Sequence, residues 1–543
     1  MKVWSSVGGV PLAKQISCLL NINNFIISQL KACGAAHEGS MSGKSVPQRF
    51  FVTLAAATLG GMEAQAARLE GAPVGFEFRL DHLKEVENLE PRMRLLVVRL
   101  RFPQMIATCR RKTAGGLFNG TVADQVRILR SAVRAGCQWV DLEAESLDRL
   151  PPQALLEFRP AKIIASYHNY RKTPPLAPIY RHLARLPVQV VKVAAYARSL
   201  SDNLRIFRFL RSRRKRGVKL VAMALGPCGL PSRVLGLRAG SFFTYASPGN
   251  SFAVAPGQLP ADVMRAVYRA DHLNYRTDLY GVVGSHASFS LSPAMQNTAF
   301  HAKHINASYL PCETGRLADF LHFAREMHFV GFSVTMPFKR DIIRELDWLD
   351  PLAAEIGACN TVAVERGKWL GWNTDAAAVV EVLTKRLRLA GSRLLILGAG
   401  GAARAAAYAL RAEGAQVILA ARREAMARAL ARKLSAEVVP WGSAEGLDVD
   451  AVINATPVGS APQVGAVPID LARLRTRVVF DMVYYPLETR LLVEARSRGL
   501  IAISGLEMLV AQGARQFEIW TAQAAPRALM EQAVRGALAH PAG

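Results

Sequence analysis

Short apolar runs alternate with helical patterns from residue 49 to about 272, and this alternation limits the possible folds more than any other feature of the chain. Repeated strand–helix units are typical of parallel sheets, whose strands need crossover helices between them. The pattern predicts eight strands, near 49–55, 73–79, 94–100 or 104–110, 138–143, 162–167, 188–196, 218–225 and 241–246. About 225 residues of this kind suit one (β/α)8 barrel, whose active site lies at the C-terminal ends of its strands.

A lysine lies inside one of these apolar runs, Val188-Gln189-Val190-Val191-Lys192-Val193-Ala194-Ala195-Tyr196. The β-branched residues around it predict a strand that is buried on both faces. Burial disfavours the charged form of an amine and lowers its pKa, and a free amine can attack a carbonyl carbon to form a Schiff base. A lysine that extends its charged end to water is the alternative, and the run alone leaves both interpretations open.

Polar residues lie at the ends of the other predicted strands, where a barrel places its active site. Glu77, Arg79 and Asp81 alternate along one strand and therefore point to the same side. The further polar residues at or after strand ends are Arg110, Asp141, Glu143, His168, Arg233 and Gln258. An ion pair would explain any one of them, but packing does not explain so many on successive strands.

The order and spacing of these residues resemble type I 3-dehydroquinate dehydratases over residues 49–270, through Glu77 to Asp81, His168, Lys192, Ser232-Arg233 and Ala255-Pro256-Gly257-Gln258. The resemblance implies that Lys192 forms an imine with the substrate ketone and that His168 transfers protons. It also implies that the hydroxyls and carboxylate of the substrate are bound by Glu77, Arg79, Arg110, Arg233 and Gln258.

Two positions depart from the pattern of that family. Ala114 stands where a glutamate usually accompanies the histidine, and Val254 stands where a serine is common. We therefore expect Glu143 to be the replacement partner of His168.

A strand, a glycine turn and a helix start follow one another from Arg393 to Ala405, through Gly398-Ala399-Gly400-Gly401-Ala402. Glycines at such a turn let the backbone approach a pyrophosphate at the helix N-terminus, which predicts a dinucleotide-binding domain. The next strand ends in Arg422-Arg423 rather than in an acidic residue, and arginines there suit the extra phosphate of NADP.

Small polar loops precede the glycine turn, at Ser290 to Met295, Ser333 to Lys339, Ala358 to Thr361 and Asn373 to Asp375. Such loops bind polyols, and a lysine–aspartate pair supplies proton transfer to a reduced carbonyl oxygen. Together with Asn454 to Pro457, Asp481 to Tyr484 and Gly505 to Gln512, they resemble shikimate dehydrogenase across residues 278–540.

This second resemblance implies that Lys339 and Asp375 are the catalytic pair. It implies that Asp375 also contacts the substrate, together with Ser290, Ser292, Thr335, Asn360, Tyr484 and Gln512. The implied cofactor contacts include the glycine turn, Arg422, Arg423, Thr456, Met482 and Gly505. Ala376 stands where the family often has glycine, and we expect little consequence.

The two resemblances predict an α/β protein in which an N-terminal (β/α)8 TIM barrel is fused to a two-domain shikimate-dehydrogenase-like unit with a Rossmann NADP-binding domain. The predicted domains are the barrel at 46–274, the substrate-binding domain at 275–376, the Rossmann domain at 377–504, and C-terminal helices at 505–543 that pack back on the substrate domain. Residues 1–45 lack a convincing signal peptide. We expect them to be poorly ordered, or translation to begin at Met41.

Composition limits the partners of the chain. The net charge of +26 does not predict nucleic-acid binding, because the dense block Arg211 to Arg216 ends a predicted helix and has no interleaved aromatic residues. No apolar run reaches the about 18 residues of a membrane span. Seven scattered cysteines without a CxxC pair suit a reducing cytoplasm, and no cluster of metal ligands is present in the sequence.

The two halves predict consecutive reactions, the dehydration of 3-dehydroquinate to 3-dehydroshikimate and its NADPH-dependent reduction to shikimate. Two alternatives stay open at this point. One is a dehydrogenase directed to quinate and NAD, against which Arg422 and Arg423 argue. The other is a regulatory ligand sensor, which would have no need of Lys192, His168, Lys339 and Asp375.

Overall fold

The computed structural model describes residues 49–539, apart from residues 70, 101–103, 214–216 and 461. The predictions for residues 1–45 and for a start at Met41 lie outside the described residues. The chain divides into two compact units, which contain among the described residues 49–277 with 311–327 (the barrel unit) and 278–310 with 328–539 (the two-sheet unit). Within these ranges no helix has both the length and the apolar character needed to cross a bilayer.

The barrel unit contains eight strands: β1 (Phe50–Leu54), β2 (Gly75–Arg79), β3 (Met105–Thr108), β4 (Trp139–Glu143), β5 (Lys162–Asn169), β6 (Val190–Tyr196), β7 (Lys219–Leu225) and β8 (Thr244–Ala246). They lie in the order β7-β6-β5-β4-β3-β2-β1-β8, and each ladder is parallel. The sheet curls round because β8 pairs with β1, and the Phe242 amide donates to the Leu220 carbonyl at 2.8 Å. The predicted parallel barrel is confirmed.

The helices between these strands are α1 (Leu59–Ala67), α2 (Leu89–Leu100), α3 (Val122–Arg134), α4 (Ala144–Leu147), α5 (Leu176–Leu183), α6 (Ser201–Arg213) and α7 (Leu230–Ala239). Of the two runs proposed for the third strand, 104–110 contains β3 and 94–100 is the end of α2. The buried residues Leu89, Met93 and Leu96 lie at helical spacing, so they form one face of α2.

Apolar side chains fill the barrel interior, among them Phe51, Ile164, Val190 and Phe243. Successive residues of a strand point to opposite faces, so Lys192 shares the inward direction of Val190. Lys192 is 5 % exposed, which excludes the alternative of a lysine extended to water. The amine of Lys192 therefore lies inside the barrel.

The first sheet of the two-sheet unit contains β9 (Asp278–Gly284), β10 (Ala307–Glu313), β11 (Phe329–Val334), β12 (Trp348–Leu349), β13 (Thr361–Glu365) and β14 (Lys368–Trp372). Its order is β10-β9-β11-β13-β14-β12, with β9 and β11 parallel and β13 antiparallel to both of its neighbours. The helices of this stretch are α8 (Ser292–Ala302), α9 (Leu317–Met327, a part of the barrel unit), α10 (Pro351–Ile356) and α11 (Thr374–Thr384).

The second sheet contains β15 (Arg393–Leu397), β16 (Gln416–Ala420), β17 (Glu437–Val438), β18 (Ala451–Asn454), β19 (Val478–Asp481) and β20 (Ile501–Ile503). All its strands are parallel, in the order β17-β16-β15-β18-β19-β20. The order reverses at β15, the switch point at which dinucleotides bind in this topology. Its helices are α12 (Gly401–Ala412), α13 (Glu424–Leu434), α14 (Arg490–Ser497), α15 (Gly505–Thr521) and α16 (Arg527–Ala539). The predicted Rossmann fold is confirmed.

Candidate active sites

The amine of Lys192 lies between two carboxylates inside the barrel. Its Nζ is 2.9 Å from Oδ2 of Asp141 and 3.5 Å from Oε1 of Glu77. Both carboxylates are buried, so each needs a cationic or hydrogen-bonding partner to offset its lost hydration. The burial of Lys192 agrees with the residues that flank it, whereas its chemical role stays a prediction.

Asp141 joins this lysine to Arg110. Nη2 of Arg110 lies 2.7 Å from Oδ1 of Asp141, and the hydroxyl of Ser166 donates to the same oxygen at 2.6 Å. Burial alone would raise the pKa of Asp141, but the charges of Arg110 and Lys192 hold it well below 3.8. Burial opposes the charge of Arg110 as well, yet Asp141 and Glu143 raise the pKa of the guanidinium above its ordinary value. Sequence reasoning gave Asp141 no role, and the structure places it between two cations.

His168 lies near the end of β5, and its Nδ1 is buried without a hydrogen-bond partner in the described structure. Burial, together with the positive charges of Arg110 and Lys192, holds the pKa of His168 well below its ordinary 6.5. The imidazole is therefore neutral near pH 7 and is able to accept a proton.

Glu143 is not the partner of His168. Its carboxylate accepts hydrogen bonds from Nε2 of Gln125 at 2.9 Å and from the Arg111 amide at 3.2 Å, and it lies 3.5 Å from Arg110. The structure does not support the prediction that Glu143 replaces the missing acid, because Nδ1 of His168 has no hydrogen-bond partner among the described residues and the Glu143 carboxylate accepts from other groups.

Glu77 connects Lys192 to Gln258. The hydroxyls of Thr53 and Thr108 donate to the two oxygens of Glu77 at 2.8 and 2.9 Å. Nε2 of Gln258 donates to the hydroxyl of Thr53 at 3.1 Å. The structure thus brings three residues of the predicted site, Glu77, Lys192 and Gln258, into one buried network.

The two other predicted arginines of the barrel make separate contacts. Arg79 donates from Nε and Nη2 to the two oxygens of Asp81, at 2.9 and 2.7 Å. Arg233 is buried on α7, where its Nη2 donates to the Pro256 carbonyl at 2.9 Å and its Nε has no partner in the described structure. Burial lowers the pKa of Arg233 to about 10. A buried guanidinium with an unused donor is suited to bind a carboxylate.

Lys339 and Asp375 form a direct ion pair in the two-sheet unit. Nζ of Lys339 lies 2.5 Å from Oδ2 of Asp375, and the lysine side chain is 23 % exposed. Asp375 is in the first turn of α11, where the helix dipole stabilises a carboxylate. Asn373 caps this helix by accepting the Ala376 amide at 3.2 Å. The helix therefore holds the carboxylate of Asp375 in place, whereas the side chain of Lys339 is partly accessible to solvent.

Thr374 orients Asn360 next to this pair. Oδ1 of Asn360 accepts the Thr374 amide at 2.8 Å, and Nδ2 donates to the Thr374 hydroxyl at 3.0 Å. Ser290 and Gln512 form hydrogen bonds within their own segments. Oγ of Ser290 accepts from the Ser292 amide, and Nε2 of Gln512 donates to the Leu509 carbonyl. Thr335 directly follows β11, and its amide donates to the Val283 carbonyl at 2.9 Å. Tyr484 is 36 % exposed.

Sequence reasoning missed Gln516 and Tyr309, which complete the polar layer beside Asn360. Oε1 of Gln516 accepts from the Ser333 hydroxyl at 2.8 Å, and its Nε2 donates to the Thr361 hydroxyl at 3.1 Å. Tyr309 donates to Ser333 at 2.7 Å. Gln516 follows Gln512 by one helical turn on α15, and this spacing was the signal that could have found it.

The glycine turn leaves open space in front of α12. Gly398 has φ +115°, and a β-carbon there would lie 3.2 Å from the Ala455 carbonyl oxygen, so conformation and space both favour glycine. A β-carbon on Gly400 would meet no atom within 4 Å, and one on Gly401 would lie 3.9 Å from Cδ of Lys339. Amide groups at a helix N-terminus next to open space fit a pyrophosphate, and Lys339 borders the same space.

The remaining cofactor candidates surround the same sheet. Arg422 and Arg423 follow β16 after Ala421 and are exposed, as a phosphate on the adenosine ribose would require. Thr456 donates its hydroxyl to Oδ1 of Asn454 at 2.6 Å, and the Met482 amide donates to the Asn454 carbonyl at 3.0 Å. A β-carbon on Gly505 would lie 2.5 Å from the Met482 carbonyl oxygen. Thr456, Met482 and Gly505 therefore lie together beyond β18 and β19.

Comparison with known proteins assigns both halves of the chain. Type I 3-dehydroquinase matches residues 50–275, the shikimate dehydrogenase substrate binding domain matches 282–362, and the shikimate 5'-dehydrogenase C-terminal domain matches 505–535. The chloroplastic bifunctional 3-dehydroquinate dehydratase/shikimate dehydrogenase of Arabidopsis thaliana is 32 % identical over 486 residues, which cover 84 % of this chain and 79 % of that protein. The chain belongs to this bifunctional family.

Single-function relatives match the second half. A shikimate dehydrogenase (NADP(+)) of Anaeromyxobacter sp. strain Fw109-5 is 42 % identical over 274 residues, which cover 48 % of this chain and 96 % of that protein. The shikimate 5-dehydrogenase of Thermus thermophilus, solved with NADP(H) and shikimate, is 37 % identical with a TM-score of 0.45 and covers 48 % of this chain and 100 % of that chain. The predicted union of a lyase with an NADP-dependent oxidoreductase is confirmed by the family, while the role of each site residue stays a prediction.

Proposed function

We propose that this member of the bifunctional family dehydrates 3-dehydroquinate in its barrel and reduces 3-dehydroshikimate to shikimate with NADPH in its two-sheet unit. The observation that carries the proposal is the buried amine of Lys192, held by Asp141 and Glu77 beside a neutral His168. An amine next to a neutral base, inside a barrel and at its strand ends, is suited to imine chemistry.

In the dehydratase, Lys192 first gives up a proton and its amine attacks the ketone carbon. The resulting carbinolamine loses water, so that the carbon–oxygen bond breaks and a protonated imine forms. The imine draws electrons from the adjacent carbon, and neutral His168 accepts the proton released there. The neighbouring hydroxyl then leaves as water with the proton that His168 holds, which returns the imidazole to its neutral form, and hydrolysis of the imine frees the product and Lys192. Arg110, Arg233, Glu77, Arg79 and Gln258 bind the hydroxyls and carboxylate throughout.

In the dehydrogenase, NADPH supplies a hydride to the carbonyl carbon when it is bound. The turn Gly398 to Ala402 would hold its pyrophosphate, and Arg422 with Arg423 would hold its additional phosphate. Lys339 gives a proton to the carbonyl oxygen as that oxygen gains negative charge, and Asp375 fixes the position of the lysine. Ser290, Ser292, Thr335, Asn360, Tyr484 and Gln512 bind the remaining polar groups of the substrate.

The proposal extends to organisation and compartment. We place the domains at 46–274, 275–376, 377–504 and 505–543. The C-terminal helices pack against the substrate-binding domain, as the hydrogen bond from Nε2 of Gln296 to the Gly513 carbonyl at 2.9 Å supports.

Five cysteines of the described residues are free, which suits a reducing cytoplasm. Cell fractionation tests the compartment, because the Arabidopsis relative is chloroplastic. The partners we propose are small molecules and neither nucleic acid nor membrane.

Borohydride trapping tests the dehydratase directly. Reduction in the presence of 3-dehydroquinate should fix the imine as a stable adduct on the peptide that contains Lys192, measured by mass spectrometry. Lys192→Ala should abolish the adduct, whereas Lys219→Ala, which removes an exposed lysine of β7, should leave it unchanged. A wild-type protein without any adduct would favour the ligand-sensor alternative.

A coupled assay tests both activities together. The wild-type protein should oxidise NADPH when 3-dehydroquinate is the only added substrate. Steady-state rates with shikimate or quinate, and with NADP or NAD, separate the proposal from a quinate-directed NAD enzyme. A preference for quinate and NAD would refute the proposed second reaction.

A further inference from the structure

Tyr245 of β8 lies against the reactive amine of the barrel. Its ring centroid is 3.8 Å from Nζ of Lys192, and the residue is 4 % exposed. The ring also packs among the apolar residues of the barrel, with centroids 5.5 Å from that of Phe243 and 6.5 Å from that of Phe51. The ring therefore contacts both the amine and the apolar interior.

The contact between the two residues is made by the aromatic ring. Burial, with the nearby charges of Glu77 and Asp141, raises the pKa of Tyr245 well above 10, so the phenol stays neutral. Its hydroxyl is buried and has no hydrogen-bond partner in the described part of the structure. Neither a phenolate–ammonium pair nor a hydrogen bond within the barrel accounts for this tyrosine, which leaves the ring face as the group that acts on Lys192.

We propose that Tyr245 is a further catalytic residue of the dehydratase, whose ring face stabilises the positively charged nitrogen of the Lys192 imine. The inference rests on the proposed function, because it needs an imine at Lys192. An ammonium has three N–H donors for Asp141 and Glu77, but a protonated imine keeps only one. The attraction of a cation to an aromatic face needs no N–H donor and is stronger where water is excluded. The ring thus continues to stabilise the cation after the amine has lost donors.

Two substitutions separate the ring from the hydroxyl in the full-length protein. Tyr245→Phe keeps the ring and should keep the trapped fraction of protein close to that of the wild type at saturating 3-dehydroquinate. Tyr245→Leu removes the ring and should lower both the trapped fraction and kcat of dehydration by about tenfold or more. Trapping by Tyr245→Leu at the wild-type level, or an equal loss in Tyr245→Phe, would overturn the proposal.

Loss of a buried ring also destabilises a barrel, so a matched control is needed. Tyr180 is buried in the barrel unit on α5, where its hydroxyl donates to the Val218 carbonyl. Tyr180→Leu should lower the melting temperature and leave the trapped fraction unchanged, and a loss of trapping there would also overturn the proposal.

If Tyr245→Leu does not fold, a trifluorinated phenylalanine at position 245 keeps the ring but weakens its negative face. It should trap less imine than Tyr245→Phe, and equal trapping by these two variants would overturn the proposal. A wild-type protein that forms no adduct would refute the proposed function itself, which is a different result from altered trapping in the variants.

Discussion

At the scale of single residues, the environment of His168 predicts the pH dependence of the dehydratase. Its pKa is held well below 6.5 in the folded chain, so the imidazole stays neutral and active as a base when the pH falls from 7 through 6.5. The kcat of dehydration, measured against pH, should therefore show its acidic limb below 6.5. An acidic limb at or above 6.5 would contradict this assignment.

The lowered pKa of His168 also makes the free energy of unfolding depend on pH. The unfolded chain takes up this proton at a higher pH than the folded chain, so the free energy of unfolding should decrease as the pH falls below 6.5. Above 6.5 the group contributes no pH dependence. Urea unfolding of the wild type and of His168→Gln across this range measures the effect, and identical slopes of stability against pH in the two proteins would count against it.

Ala114 offers a second prediction, because a carboxylate in its place would act on His168. Gly115 has φ +80° and lies against the ring of Tyr170, which is within 15° of parallel to the His168 ring at a centroid distance of 6.2 Å. Ala114→Glu should raise the pKa of His168 and move the acidic limb of dehydration to higher pH. Ala114→Gln has nearly the same size without the charge, and an equal shift in both variants would refute the explanation.

The residue scale also shows what the sequence leaves undetermined. The flanking apolar residues predicted a strand that is buried on both faces, but they left open whether the amine of Lys192 is buried or extends to water. They could not assign the partners of Glu143, because one of its oxygens accepts from Gln125, a residue of α3 that lies 18 positions away in the chain. For the same reason Asp141 was named without a role and Tyr245 was missed, since their contacts with Lys192 cross from β4 and β8 to β6. Such contacts depend on strand register, which the local pattern does not contain.

At the scale of elements, strand–helix alternation and the glycine turn predicted the barrel and the Rossmann sheet. The third strand stayed open between 94–100 and 104–110, because residues 94–100 are rich in Leu and Val, which strands also favour. The helical spacing of the buried Leu89, Met93 and Leu96 identifies the first run as a part of α2. A short apolar run can therefore be assigned to a helix or a strand only together with the residues that flank it in the sequence.

The proposed binding of the NADP phosphate lies at the junction between β16 and α13. If Arg422 and Arg423 bind the additional phosphate of NADP, changing both to serine should raise KM for NADPH by about 10- to 100-fold, the value of one or two charge-assisted hydrogen bonds. The KM for NADH should change little. Arg428→Ser is the control, because that exposed arginine pairs with Glu424 on α13. Equal losses with both cofactors would show that the arginines act on structure instead.

At the scale of the whole molecule, each candidate site is built from residues of a single unit. The dehydratase network draws on residues from Thr53 to Gln258, and the dehydrogenase network on residues from Ser290 to Gln516. We therefore expect each activity to survive the loss of its neighbour.

Paired substitutions test this independence. Lys192→Ala should abolish NADPH oxidation from 3-dehydroquinate and leave the reduction of added 3-dehydroshikimate near the wild-type rate. Lys339→Ala should abolish the reduction and leave the dehydration of 3-dehydroquinate near the wild-type rate, so that 3-dehydroshikimate accumulates and its absorbance rises without NADPH oxidation. Mixing the two variants should restore conversion of 3-dehydroquinate to shikimate after a lag, since the intermediate can leave one chain and bind another. A mixture that stays inactive, while each variant keeps its own activity, would mean that the intermediate passes between the two sites only within one chain.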